Sequence, residues 1–246
     1  MVEGRLTHQQ IHVDIVSTGQ TSTLGTHSAN TKQETDMKTS REGDRIQPCV
    51  VLLNGFPGVG KFTIAKALQL ALAQHVPTRL IDNHLFIDLS EAIEPGRTDG
   101  HYAFRTKIRR EAFSALKALA EQQMVIIMTT CLNELPADIK LYHEYADIAR
   151  ARGVPLFTVN LSCDRKTNEA RLCSDERKAG RAAGKMKLVE ADVLAKIRHD
   201  YVLLGPMKMG RSELKVFHLE LDISNDSIEE AMERIRAFLQ HANKAM

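Results

Sequence analysis

Tryptophan is absent from this chain of 246 residues, and aromatic residues make up only 5% of it. A surface that grips nucleic acid by stacking bases on rings therefore has little to be built from. Neither sign of charge dominates, since 33 Lys and Arg face 31 Asp and Glu, and the formal net charge of +2 calls for neither a polyanion nor an anionic membrane. Any basic function must be local. No apolar run approaches the roughly 18 residues of a membrane-spanning helix, and the N-terminus lacks the apolar core of a secretory signal. Glu3, Asp14, Glu34 and Asp36 argue against a mitochondrial transit segment. The four cysteines, Cys49, Cys131, Cys163 and Cys173, form no C-x-x-C pair and no zinc spacing. Three of them lie within or beside apolar runs and read as buried reduced thiols, which suits the cytoplasm. No internal repeat is visible.

What is present begins with a polar segment. Residues 1–47 are rich in Thr, Ser, Gln, His and Asn and are expected to be a disordered tail, with Ile11, Val13, Ile15 and Val16 their main apolar content. From residue 48 onward short apolar runs alternate with segments of helical period. Strands are expected at Cys49 to Leu53, Thr78 to Ile81, Met124 to Met128, Val154 to Leu161 and Val216 to Leu221. Between them, helices are expected at Lys61 to His75, Ala103 to Gln122, Pro136 to Arg152, Arg165 to Leu172, Val189 to Tyr201 and Ser227 to Gln240. The stretch 173–187 carries five basic residues, two glycines and little to bury, and is expected to be an exposed, mobile excursion. Alternation of this kind predicts one α/β domain over 48–246 with a parallel sheet and right-handed crossovers.

The sharpest local pattern is "LLNGFPGVGKFTIAKAL", residues 52–68. A strand, a glycine-rich turn and a helix opening at a lysine make an anion site: glycine tolerates the dihedrals that turn successive N–H groups inward, and the helix N-terminus adds partial positive charge. Gly55, Phe56, Pro57, Gly58, Val59, Gly60 and Lys61 match G-x-x-x-x-G-K in the required context. Phe62 stands where Ser or Thr normally holds Mg2+, and the hydroxyl follows at Thr63.

"GFPGVGKFT" resembles the G-x-P-G-x-G-K-G-T of nucleoside monophosphate kinases, departing only at Phe62. The resemblance, extending to adenylate, shikimate and gluconate kinase relatives, covers nearly all of 49–240 in element order. It implies a P-loop NTPase fold, three layers α/β/α around a five-stranded parallel sheet of order 2-3-1-4-5, with a mobile lid at about 173–187. It further implies ATP and Mg2+ as cofactors, with Lys61 on the β and γ phosphates and Thr63 on the metal. In such kinases an acid ending the second strand contacts the acceptor hydroxyl and the magnesium shell; here that is Asp82, which equally suits a helix cap. His84 beside it is an acceptor-binding candidate or a packed histidine. Arg105 and Arg109, four apart on one flank of a helix, correspond to the arginines that bind an acceptor's anionic group, or to a solvated face. Arg171, Arg177 and Arg181 are the lid candidates for charge on the migrating phosphoryl group, unless the loop is merely solvated.

The third strand, "MVIIMTTCLNE", ends without the acid of motor-type P-loop proteins, which shifts the metal role to Asp82. Thr129 and Thr130 stand there instead. The expected function is an ATP-dependent phosphotransferase acting on a small-molecule hydroxyl or phosphate acceptor. A nucleotide-binding or slowly hydrolysing regulatory protein is the alternative, and a nucleic-acid end kinase ranks last. No guanine-specific signature is present, so ATP is the default nucleotide.

Overall fold

Five apolar runs become the strands β1 (Cys49–Asn54), β2 (Thr78–Ile81), β3 (Val125–Thr130), β4 (Leu156–Ser162) and β5 (Val216–Asp222). The computed structural model describes residues 46–207 and 214–244, so the expected polar tail lies almost wholly outside the described residues. Every pairing is parallel, in the order β2-β3-β1-β4-β5 that the sequence resemblance implies. The connecting helices are α1 (Lys61–Leu72), α2 (His84–Ile93), α3 (Asp99–Lys117), α4 (Pro136–Arg152), α5 (Arg165–Leu172), α6 (Asp175–Ala182), α7 (Ala191–Asp200) and α8 (Ile228–Lys244).

Burial explains the strand composition. β1 and β3 are buried at every position, and only near-continuous apolar runs can occupy strands covered on both faces. On one face Val51, Leu53, Ile127 and Val159 pack with Ile64, Leu68 and Leu72 of α1 and Ile235 and Leu239 of α8. Ile46, within the expected tail, is buried in this same cluster. On the other face Val50, Leu52, Ile126 and Met128 meet Phe113 of α3 and Tyr145 and Ile148 of α4, with the Phe113 and Tyr145 rings 4.8 Å apart. Pro136 opens α4 and Gly153, at φ 65°, closes it. Among the described residues no helix is long and apolar enough to cross a membrane.

Three local expectations need correction. A helix, α2, follows β2 directly; its Leu85, Leu89 and Ile93 are exposed while Phe86 and Ser90 are buried, so no one-sided stripe announced it. α3 begins at Asp99 rather than near residue 103, because the Thr98 hydroxyl caps it by accepting from His101 N–H at 3.2 Å. The basic excursion contains α6, which buries nothing and so carries no apolar period. Its start is fixed by Ser174, which accepts from the Arg177 N–H, and by Asp175 and Glu176 in the first turn.

At the carboxyl end of β1, Asn54 is only 3% exposed and joins three segments. Its amide nitrogen donates to Leu132 O and Asn160 Oδ1, and its Oδ1 accepts from Leu132 N–H at 2.7 Å. Asn160 in turn donates to Leu204 O at 2.9 Å, fastening the chain after α7 beneath the sheet edge. The Asn54→Leu substitution orphans Leu132 N–H and Asn160 Oδ1. Each such buried group costs about 1–3 kcal/mol, so urea unfolding is expected to show a lowered midpoint with an unchanged slope.

Candidate functional site

The loop between β1 and α1 runs Gly55 to Gly60, and its carbonyl groups are engaged one by one. Lys61 Nζ donates to Gly55 O at 2.6 Å and Phe56 O at 2.9 Å. Asn168 of α5 donates to Pro57 O at 2.9 Å, and Arg171 Nη1 to Val59 O at 3.2 Å. Arg198 of α7 completes the brace by donating to Asn168 Oδ1 at 2.8 Å while its guanidinium lies 5.8 Å from the Phe56 ring centroid. Gly58 has φ +82°, and a Cβ there would come within 2.9 Å of Leu172, so only glycine lets the loop lie this close to α5. Helix α1 starts at Gly60 with no side-chain cap and no acid in its first turn. Its first N–H groups and its positive pole are therefore left for an anion.

In front of this loop lies a cavity of about 660 Å3. It opens at the carboxyl edge of the sheet, where open α/β sheets bind ligands. Residues 57–63 line one wall, Asp82 and His84 a second, and Arg171 and Arg177 a third. Burial drives the Lys61 ammonium below the usual lysine range, opposed by the Asp82 carboxylate and reinforced by the Arg177 cation. Burial likewise lowers Arg177, against the pull of Asp82. One lysine, one arginine and one carboxylate thus share a single electrostatic neighbourhood. Asp82 accepts a short bond from Thr129 Oγ1, and the same hydroxyl oxygen accepts from Asn83 N–H at 3.1 Å, so the strand-end threonine fixes the acid. His84 is pushed below its ordinary value by burial and faces Asp88 at 3.5 Å.

The remaining candidates fall elsewhere. Gly55 is buried beneath the loop, where a Cβ would meet Leu161 O at 2.6 Å, and the Phe56 ring faces Arg198 rather than the cavity. Arg171 lines the cavity, yet both its Nη groups are engaged, the second with Ile223 O at 3.0 Å, so it braces the loop. Arg181 pairs with Glu190 at the surface and does not line the cavity. Neither Arg105 nor Arg109 lines the cavity: Arg105 donates to Asn83 Oδ1 at 3.2 Å, and Arg109 Nε lies 3.7 Å from Glu144. Their Nε groups are buried without a hydrogen-bond partner, an unusual state for a cation.

Several lining residues were not assigned to the site from sequence, among them two cations and an apolar group. Arg97 reaches the cavity from a turn where it holds φ 54°, and nothing in its local sequence marks it. Lys187 belongs to the basic excursion, where the arginines drew attention. Ile228, with Ile223 and Ala231, forms an apolar wall at the far end; its position at the start of α8, just past β5, was the available signal. For a magnesium ion beside the loop, Thr63 offers a hydroxyl and Asp82 a carboxylate, while Glu176 and Asp226 also line the cavity. Among the described residues there is no cluster of three or more His, Cys, Asp or Glu side chains. That sparse set fits Mg2+, which takes most of its ligands from phosphate oxygens and water.

No protein-family model matches the sequence, and no curated protein matches it. Solved structures do. The protein APE1195 superposes with a TM-score of 0.51 at 17% identity, covering 80% of this chain and 97% of that one. A kinase candidate from Chloroflexus aurantiacus gives 0.51 at 13% identity, over 78% and 98%. The APS kinase CysC of Mycobacterium tuberculosis, in complex with AMPPNP and APS, overlaps more loosely, with a TM-score of 0.49 at 16% identity, over 79% and 98%. At these identities the likeness is one of fold. Sheet order, glycine-rich loop and superposition together define a P-loop three-layer α/β/α fold.

Two substitutions separate loop shape from loop charge. Gly58→Ala combines left-handed backbone strain of about 1–2 kcal/mol with the Leu172 clash, whereas Gly96→Ala, with φ +92° and nothing within 4 Å, carries the strain alone. Thermal unfolding is expected to show the larger loss for Gly58→Ala. Lys61→Met removes a charged donor and is expected to weaken ATP binding roughly 10- to 100-fold by titration calorimetry.

Proposed function

We propose that this chain is an ATP-dependent phosphotransferase that moves the γ-phosphoryl group of ATP to a hydroxyl or phosphate oxygen of a small acceptor. The observation that carries this reading is the Asp82 carboxylate, fixed by Thr129 and facing Lys61 and Arg177 across one cavity. An acid oriented at that point can serve an acceptor oxygen as well as a metal on the phosphates.

The loop N–H groups and the start of α1 hold the phosphate chain, and Lys61 turns from Gly55 O and Phe56 O to the β and γ phosphates. The apolar wall of Ile223, Ile228 and Ala231 takes the flat base. Asp82 orients the acceptor oxygen and receives its proton as the new P–O bond forms and the bond to the β-phosphate oxygen breaks, leaving ADP. Arg177 offsets charge on the equatorial oxygens of the migrating group. Arg181 joins it when the lid over 173–187 closes, and closure excludes water. His84 and Asn83, the latter oriented by Arg105, contact the acceptor; Arg105 and Arg109 add a positive field that favours an anionic group on it. When bound by Thr63, Asp82 and the phosphates, Mg2+ supplies electrostatic neutralisation of the triphosphate. Reduced thiols and the absence of any basic surplus fit a cytoplasmic enzyme acting on a metabolite rather than on nucleic acid.

A second reading, a nucleotide-binding regulatory protein, draws on Phe62 and on the threonines that end β3. The two separate when the protein is incubated with γ-labelled ATP and a small-metabolite extract. A phosphotransferase labels a small molecule; a regulatory ATPase releases only free phosphate. Asp82→Asn is expected to lower transfer by about 100-fold or more, the scale of a general base, with ATP affinity little changed.

A further inference from the structure

Phe62 is the one departure of the loop from its resembling pattern, and it is an odd residue to leave at the mouth of a phosphate site. It stands 42% exposed in the first turn of α1, directly after Lys61, on the cavity wall. A smaller side chain there would expose less apolar surface. What the ring touches is informative: Lys187 Nζ lies 5.2 Å from its centroid. Lys187 is also a cavity residue, although it comes from the far side of the basic excursion.

The segment that carries Lys187 is fastened on both sides. Met186 N–H donates to Asp88 Oδ1 of α2 at 3.0 Å, and Arg177 Nε donates to Leu188 O at 2.6 Å. The lysine is thus bracketed by two anchors, so its Cα is fixed over the loop while its ammonium remains on a flexible stem. Its charge is felt at His84 on the opposite wall. An aromatic face attracts an ammonium without accepting a hydrogen bond, so all three N–H donors stay available for an anion. A carboxylate in the same place would neutralise the cation, and a small side chain would leave it to solvent.

We propose that Lys187 is a phosphate-contacting residue for the terminal phosphoryl group of ATP, and that Phe62 is its positioning residue, a platform that parks the ammonium above the loop. This rests on the nucleotide reading above, and adds to it a third excursion cation beside Arg177 and Arg181. The cation–π contact uses no N–H donor, so it is kept while the ammonium donates to the third phosphate.

The test is titration calorimetry with ADP and with the β,γ-imido analogue of ATP, in the full chain. Lys187→Met is expected to weaken the triphosphate roughly tenfold, the scale of one charge-assisted bond, while ADP affinity stays at the wild-type level. Phe62→Leu should weaken the triphosphate about two- to fivefold, and Phe62→Tyr should restore it. Joined with Lys187→Met, Phe62→Leu should add nothing, because the two act as a unit. Equal losses for ADP and the triphosphate, or additive losses in the double variant, overturn the assignment while the nucleotide reading stands. A wild-type chain that binds neither nucleotide overturns both.

Discussion

The structure depends on how the backbone of Gly55 to Gly60 is held. Polar backbone at the end of a buried strand must be satisfied, and here its carbonyls are taken by Lys61, Asn168 and Arg171. With those acceptors tied to the scaffold, the polar groups left for the cavity are N–H groups, joined by the uncapped start of α1. An anion-seeking surface follows from the folding of α5 and α7 against the loop. Arg198 and Asn168 touch no cavity wall, yet the arc is shaped by them.

Charge then decides what the arc can do. Buried cations are costly unless paired, and burial holds the Lys61 ammonium below the usual lysine range. Asp82 offsets part of it, but Arg177 works the other way. A polyphosphate would relieve this imbalance, and a carboxylate fixed by Thr129 gives the far wall a proton acceptor as well as a counter-charge. The same physics makes Arg105 and Arg109 conspicuous, since their Nε groups are buried without a hydrogen-bond partner.

Much of this was legible in the sequence. The five strands, their order through the resemblance, and the loop with Lys61 follow from period, punctuation and the glycine pattern, most plainly for β1 and β3, which are buried at every position, and less so for the partly exposed edge strands β2 and β5. The acid at the end of β2 was also visible by position. Helices α2 and α6 were not, since both present exposed faces and are started by polar residues rather than by an apolar stripe. The division of labour among arginines was illegible too: Arg171 and Arg177 are six apart in the same basic run, and only tertiary contacts make one a brace and the other a cavity cation. Arg97 and Lys187 reach the cavity from turns, where spacing carries no directional information.

The most direct measurement is the electron density of a crystal grown with magnesium and the β,γ-imido analogue of ATP. The account predicts the triphosphate wrapped by residues 57–63, its base against Ile223 and Ile228, and its terminal phosphoryl group facing Asp82. A loop empty of anion, or a nucleotide whose terminal phosphate points away from Asp82, would contradict it.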